Sequence, residues 1–539
     1  MSVFTFDAKK DNPITVNDIV SLGLEFGVQE TNDSNLEGYK TLLAVFHDSC
    51  EEIMAMDDYI PVVDFERFPR ESIHFPTQDE NKLNAWGYKF ILKDKKISNG
   101  RRLLKDLKIA VKDCISVAGV PMLFGTNFIK DFIPSNDATI ITRMLEAGGT
   151  VVGKAVCENL CHSATSHSAH TGPIHNPMAK GYSTGGSSSG SGALVMDPNE
   201  DIDITIGADQ GGSVRIPAGW CGAVGIKPTF GLIPFTGCGS NEATNDHLGV
   251  LTKDVLTNAR GLQAIAGSDG IDDRGFNSIT TEYYDDLLTL KDPKSLNGLR
   301  VAVLKEGFDN PAVETRIKEK CYDAISRFEE LGATVEEVSI PLHLKGPLIW
   351  TGISKVGGYL TKVGCAIGRR GFSMNDLNEK FLDALHDQER WDEAFPSTKN
   401  IYYNGLYAMK KFPTLYGKCQ NLSRKLKDEY NEVLKEYDVI VLPNLPYIAR
   451  SHHLVDDGSL PLDVMGKQVG LSSNTCPFDQ SGHPALALPC GMLPILEGPL
   501  ANSGSKLPVS LQIVGKWYDE KTVYRAAYAW EQAFSWREL

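Results

Sequence analysis

The chain has 539 residues, 42% hydrophobic and 23% charged, which is enough apolar material for a large core. That excludes a disordered, collagenous or disulfide-stapled class. With 54 Lys and Arg against 69 Asp and Glu, the net charge of −15 repels a phosphate backbone, so no nucleic-acid partner is expected. Eleven cysteines, an odd number scattered along a long chain, read as reduced thiols. The opening residues have no apolar leader core, and no apolar run is long enough to span a bilayer. Neither a signal peptide nor a membrane partner is expected, and the cytoplasm is the default location.

Residues 1–95 read as a helical N-terminal region. Helical apolar spacing occurs over 13–26 and 35–56, where Leu36, Tyr39, Leu42, Leu43, Phe46 and Ile53 form one stripe. Residues 61–77 contain Pro61, Pro69 and Pro76 and read as an extended connector. From Leu107 the texture changes. LKIAVKDCISVAGVP predicts a buried strand and a turn, residues 138–147 a helix stopped by Gly148 and Gly149, and VVGKAV a short strand. Residues 172–249 are dense in Gly and Ser, yet they interleave apolar runs such as ITIGA and CGAVGI that a flexible linker lacks.

GLRVAVLKE, a helix over 313–331 closed by Gly332, and ATVEEVSI together form a βαβ pattern, which favours a parallel pairing. YDVIVLPNLP, HPALALPCGM and PVSLQIVG predict further strands, and residues 520–534 a closing helix. The fold class is α/β with a helical N-terminal extension.

Four stretches offer chemistry. In GYSTGGSSSGSGALV, residues 181–195, no Lys follows the glycines, so this is not a phosphate loop. Gly186 to Gly190 fits the GxSxG nucleophile elbow, a match that a Ser/Gly-rich stretch also produces by chance. In GADQGGSVRIPAGWCGAVGIKPTFG, residues 207–231, Ser213 follows Gly211 and Gly212. Consecutive backbone N–H groups there suit an oxyanion hole, or Ser213 simply caps a helix. Lys112 ends the strand KIAVKD. If buried, its pKa should fall and it could act as a base; otherwise it snorkels to the surface.

A serine nucleophile needs a base. His162, His167, His170, His175, His247, His452, His453 and His483 are available, but none follows a Ser…Asp…His order with a clear partner. A Ser-Lys arrangement is the alternative. The SxxK at 503–506 lies in a Gly/Pro-rich loop. Finally, Cys157, Cys161, His162, His167 and His170 are residue types that zinc favours, but their spacing matches neither a finger nor HExxH.

Taken together, VKD at 111–113, GGSSSGSGA at 185–193 and DQGGSVRIPAGWCGAVGIKPTFGLIP at 209–234 resemble the signature of the amidase signature family. DHLGVLTKD, YDVIVLPNLPYIA and SSNTCPFDQSGHPALALPCG extend the likeness toward bacterial enantioselective amidases and fungal or yeast amidases, including urethanases. DQGGS, in place of a GSDTGGS-like string, separates the chain from glutamyl-tRNA amidotransferase subunits.

The resemblance implies a mixed sheet covered by helices on both faces, with residues 96–539 as the catalytic domain. It implies Ser213 as nucleophile, Ser187 as a bridging serine held by a cis peptide, and Lys112 as base. Backbone N–H groups of Gln210, Gly211, Gly212 and Ser213 would form the oxyanion hole. Ala164 and Cys161 would border the reacting centre, and Ser188, Asp209 and Arg215 would support the loops. No cofactor or metal is implied. The expected substrate is a small aliphatic or aryl amide, or a carbamate such as ethyl carbamate. Acyl-pocket walls are expected at 122–126, 161–164, 235–237 and 464–472. Cys221 reads as a small buried residue, and the N-terminal region as a surface for a homodimer.

Overall fold

The computed structural model describes residues 5–96, 102–129, 131–364, 368–452 and 460–539. The chain divides into two compact units, Met1–Ile60 and Pro61–Leu539.

The first unit is two helices, Val16–Glu25 and Asp33–Met54. Thr15 and Asp18 form a capping box on the first, and Asn32 accepts the Asn35 N–H at 3.1 Å on the second. Only Ala44 and Val45 of these helices are buried. Leu24, Phe26, Phe46, Ile53 and Met54 stand exposed.

The second unit is built on one twelve-stranded mixed sheet and a two-stranded ribbon. The strands, in chain order, are β1 (Arg70–His74), β2 (Trp86–Leu92), β3 (Lys108–Lys112), β4 (Thr150–Ala155), β5 (His175–Asn176), β6 (Ala179–Ser183), β7 (Ile204–Asp209), β8 (Val224–Lys227), β9 (His247–Thr252), β10 (Arg300–Leu304), β11 (Thr334–Val338), β12 (Val439–Pro443), β13 (Ala485–Pro494) and β14 (Lys506–Gly515). β5 and β6 form the ribbon. Across the large sheet the order is β1-β2-β4-β3-β7-β9-β8-β13-β14-β12-β10-β11. β3 runs parallel to β4 and β7, and β10 runs parallel to β11 and β12. The remaining pairings are antiparallel.

The expected βαβ unit is present, with β10 and β11 parallel and the helix Thr315–Glu330 between them. Successive side chains on a strand point to opposite faces. On β10 and β12, Val301, Val303, Val439 and Val441 enter one core, while Ala302, Leu304, Ile440 and Leu442 enter another. Ile317, Cys321 and Phe328 of the helix Thr315–Glu330 cover the first face. Leu426, Tyr430 and Leu434 of the helix Leu415–Glu436 cover the second. These strands therefore read as continuous apolar runs.

Residues 70–92 depart from the expected helical region, forming β1 and β2 at the sheet edge. β1 is mostly exposed, so it carries no alternating apolar pattern, and the partner of β2 is β4, far along the chain. The compact division accordingly falls at 60/61, where sequence places it at 95/96. After β11, where sequence suggests no element, the chain forms helices that include Gly346–Tyr359, Pro396–Lys411 and Leu415–Glu436.

Candidate active site

Lys112 is the last residue of β3, flanked by β4 and β7 in the middle of a parallel group. That position buries it to 1% exposure. Its Nζ donates to Ser187 Oγ at 2.8 Å and to the Ala208 carbonyl of β7 at 3.2 Å. The next residue, Asp113, forms a buried pair with Lys154 of β4 at 3.4 Å, and its Oδ2 accepts the N–H groups of Leu123 and Phe124. Burial pushes the Asp113 carboxyl up to about 6, against the pull of Lys154. Sequence reasoning missed this pair; a second lysine inside an apolar strand, in VVGKAV, is the signal that could have found it.

The Gly/Ser stretch is neither a flexible linker nor an exposed elbow. Residues 184–195 are buried, and the helix Ser189–Met196 begins within them. The Gly186–Ser187 peptide is cis. Ser188, the centre of the GxSxG match, donates its Oγ to the Ala208 carbonyl at 3.1 Å. That same carbonyl receives Lys112, so Ser188 anchors the surroundings of the lysine.

Ser213 sits in the loop between β7 and the helix Arg215–Cys221. Its carbonyl accepts the Ser188 N–H at 3.3 Å, which brings the two serine loops together. Asp209, at the end of β7, organises the loop. Its Oδ1 accepts the Gly212 N–H at 2.5 Å and its Oδ2 the Val214 N–H at 3.0 Å. Arg215 grips both Asp209 oxygens at 3.0 Å and reaches Asp479 at 2.7 Å, Gln512 at 2.6 Å and the Thr475 carbonyl at 2.9 Å. Burial acts to raise the Asp209 pKa, but the Arg215 charge outweighs it and holds the carboxyl well below its usual range. Asp479 moves the other way, raised by burial and by the Asp209 charge. Asp209 and Arg215 thus hold the loop together.

The expected donor set needs one correction. The Gly212 N–H is committed to Asp209 and does not face a substrate. The two carbonyls before it are fixed as well: Trp350 Nε1 donates to Gln210 O at 2.8 Å and Thr475 Oγ1 to Gly211 O at 2.7 Å. In a trans peptide the N–H points opposite to the carbonyl, so these two bonds set the direction of the Gly211 and Gly212 N–H groups. Gly212 has φ +127°, and a Cβ there would collide with Thr475 Oγ1.

Ser213 opens into a cavity of about 410 Å³, within the range of small-molecule sites. Gln210, Gly211, Cys161 and Ala164 line it, together with Met465, Gln468 and Ser472. Of the expected walls, 161–164 and part of 464–472 are present. Residues 235–237 line a different cavity of about 510 Å³, beside Arg274 and Met374. Met122 to Thr126 lie outside both, because the Leu123 and Phe124 N–H groups turn that loop inward to Asp113. One wall was not foreseen. Pro347, Trp350, Thr351 and Ser354 of the helix Gly346–Tyr359 face the cavity, at the three- and four-residue spacing of a helix face.

The Lys112 pKa departs from the expected direction. Burial pulls the amine down, but the sulfurs of Cys161, Cys114 and Cys157 push it up, and the balance lies above the ordinary value. Cys161 responds in kind. Burial acts to raise its thiol, but hydrogen bonds with Cys114 and Cys157 and the Lys112 charge bring it well below its usual range. Three cysteines, Cys161, Cys114 and Cys157, thus act on the lysine. Among the described residues, no group of three or more His, Cys, Asp or Glu is placed to hold a metal ion.

The histidines are dispersed. His162 lines the cavity, its pKa held well below the usual value by burial and by Lys362 and Lys355. His167 bonds Thr165, His247 bonds the Asn245 carbonyl, His452 the Ile174 carbonyl, and His483 bonds Ser481 and Asn431. His170 is exposed and His175 lies in the β5–β6 ribbon. His453 lies outside the described residues. Cys221 is buried, with its Sγ 3.5 Å from the Thr184 carbonyl and its thiol pushed up by burial, as befits a packing residue. Ser503 bonds the Leu500 carbonyl and Ser505 within its loop.

The pattern described as Amidase matches residues 91–524. The chain belongs to the amidase signature family. This is a family of enzymes that hydrolyse amide C–N bonds, and its large mixed sheet flanked by helices is the one seen here. An enantioselective amidase from Rhodococcus rhodochrous is 37% identical to this family member over 472 residues, covering 86% of each chain. The A-type component of a glutamyl-tRNA(Gln) amidotransferase from Exiguobacterium sibiricum is 33% identical, covering 79% of this chain and 84% of its own. The DQGGS string therefore leaves the chain close to those amidotransferase components. Among solved structures, the corresponding component from Thermotoga maritima has a TM-score of 0.62 at 25% identity, covering 84% and 87% of the two chains. A 6-aminohexanoate cyclic dimer hydrolase shares the fold at a TM-score of 0.66 and 22% identity, covering 80% and 86%.

Proposed function

We propose that this amidase-family chain hydrolyses small aliphatic or aryl amides through a Ser213-Ser187-Lys112 relay, releasing ammonia. The observation that carries this reading is the 2.8 Å hydrogen bond between Lys112 Nζ and Ser187 Oγ at a buried strand end, beside the Ser213 loop. Lys112 acts as a base in its neutral form, which it reaches by losing its proton to solvent as pH rises. It then takes the Ser187 proton, and Ser187 takes that of Ser213. Ser213 attacks the carbonyl. The oxyanion takes N–H groups from Gln210, Gly211 and Ser213, each such donor being worth roughly 3–4 kcal/mol in comparable sites. The proton returns through Ser187 to the leaving nitrogen, and water releases the acyl group by the same route.

Ethyl carbamate fits the same chemistry, since its acyl carbon differs only in bearing an alkoxy group. The likeness to glutamyl-tRNA(Gln) amidotransferase components supports a second reading, in which the chain supplies ammonia to a partner. The free thiols among the described residues suit a reducing compartment such as the cytoplasm. The exposed apolar side chains of the first two helices suit a homodimer contact.

The test is ammonia release near pH 8 from acetamide, benzamide, phenylacetamide, indoleacetamide and ethyl carbamate, with wild type beside Ser213→Ala. Turnover that vanishes in the variant is expected, and the rank order separates amide from carbamate. Folded wild type that turns over none of them overturns the reading.

A further inference from the structure

The helix Gly346–Tyr359 brings one more residue to the cavity, Lys355. With Pro347, Trp350, Thr351 and Ser354 it completes one continuous helix face along the wall. Trp350 fixes the near end of that face to the Ser213 loop through its bond to the Gln210 carbonyl, and its ring packs where a Cβ on Gly211 would stand. Lys355 lies five residues further on, about 7.5 Å along the helix axis at ~1.5 Å per residue.

Among the described residues that line this cavity, Lys355 is the only Lys, Arg, Asp or Glu; His162 beside it is held neutral by burial and the nearby lysines. The wall therefore offers no carboxylate to answer the ammonium. Burial is the cause acting on its amine, pulling it down to about 8. Lys227 and Lys362, fully buried where Lys355 is half-buried, contrast with it: Lys227 donates to the Pro228 and His483 carbonyls, and Lys362 donates to Asn241 and lies over the Phe381 ring. Lys355 is half-buried at the wall with no carboxylate beside it, and a ligand anion there would gain a charge-assisted hydrogen bond.

We infer that Lys355 is a specificity-determining residue, and that the substrate is an amide carrying a carboxylate at the end remote from the scissile bond. This deepens the hydrolase reading and rests on it. A monoamide of a dicarboxylic acid, with its amide at Ser213 and its carboxylate at Lys355, has the required chemistry. Polar groups placed in a pocket fix orientation, and a site built for a charged group discriminates against the analogue that lacks it.

The experiment compares adipamate with hexanamide, which are matched in length and differ in the terminal carboxylate. Wild type is expected to favour adipamate in kcat/KM by about tenfold or more. In Lys355→Met that ratio should fall about tenfold, and Lys355→Arg should retain most of it. Wild type that turns over hexanamide at least as well as adipamate overturns the inference without needing any variant, as does a ratio unchanged in folded Lys355→Met. Calorimetry of adipamate binding to Ser213→Ala, with and without Lys355→Met, separates the two readings. Lys355-dependent binding without turnover in wild type fells the hydrolase reading and keeps the carboxylate site. Binding that ignores Lys355 fells the carboxylate site.

Discussion

Lys112 holds two opposed influences, and their balance is measurable. A base works only in its neutral form, so kcat/KM should rise with pH as the amine loses its proton. Cys161 pushes the amine up and burial pulls it down. Replacing Cys161 with Ala removes the upward push, so the rising limb of the pH profile should move to lower pH. A limb that stays in place or moves up would show that the thiol does not set the lysine. Arg215 illustrates a different balance. Its guanidinium and the Asp209 carboxylate are both fully buried, so removing one partner strands the other. Arg215→Met should cost about 3–5 kcal/mol in urea unfolding, a penalty for the unpaired charge and not the net worth of the pair.

The loop from Asp209 to Arg215 is held by its neighbours on every side. Asp209 collects the Gly212 and Val214 N–H groups, Thr475 takes the Gly211 carbonyl, and Trp350 takes that of Gln210. An Ala at Gly212 would need an unfavourable φ and would collide with Thr475. Gly212→Ala should therefore reduce kcat about a hundredfold, the scale of effect that a displacement of about 1 Å produces in an oriented site. Near-wild-type turnover in this variant would mean that the loop does not position the nucleophile. The helix Gly346–Tyr359 matters for the same reason, since it braces this loop and walls the cavity with one face.

The twelve-stranded sheet joins two parallel groups through an antiparallel middle, and the serine-bearing loops stand at its β3–β7 part. Core on both faces explains why the strands carry apolar residues at consecutive positions. No helix among the described residues is long and apolar enough to cross a membrane. The first unit, Met1–Ile60, exposes Leu24, Phe26, Phe46, Ile53 and Met54. If those side chains pair with a second copy, light scattering on the full chain should give twice 59.1 kDa at micromolar concentration. A mass equal to one chain would remove the dimer from the proposal.

Much of this was open to reading from residues alone. The long strands and the helices that end in glycine follow from local periodicity, because apolar runs and helix stops are chemical properties of the chain itself. The meeting of Lys112 with Ser187, and of the Ser188 and Ser213 loops, was legible through a composite pattern spread over more than a hundred residues. The edge strands β1 and β2 were not, because an exposed strand carries no alternating signal and its pairing partner lies far along the chain. The upward shift of Lys112 was equally hidden. It depends on Cys114, Cys157 and Cys161 converging on one amine, and neighbours in space are not neighbours in sequence. The commitment of the Gly212 N–H and the Lys355 wall belong to the same class. Local sequence decided which residues could do chemistry, whereas packing decided which hydrogen bonds were already taken and which charge was left facing the cavity.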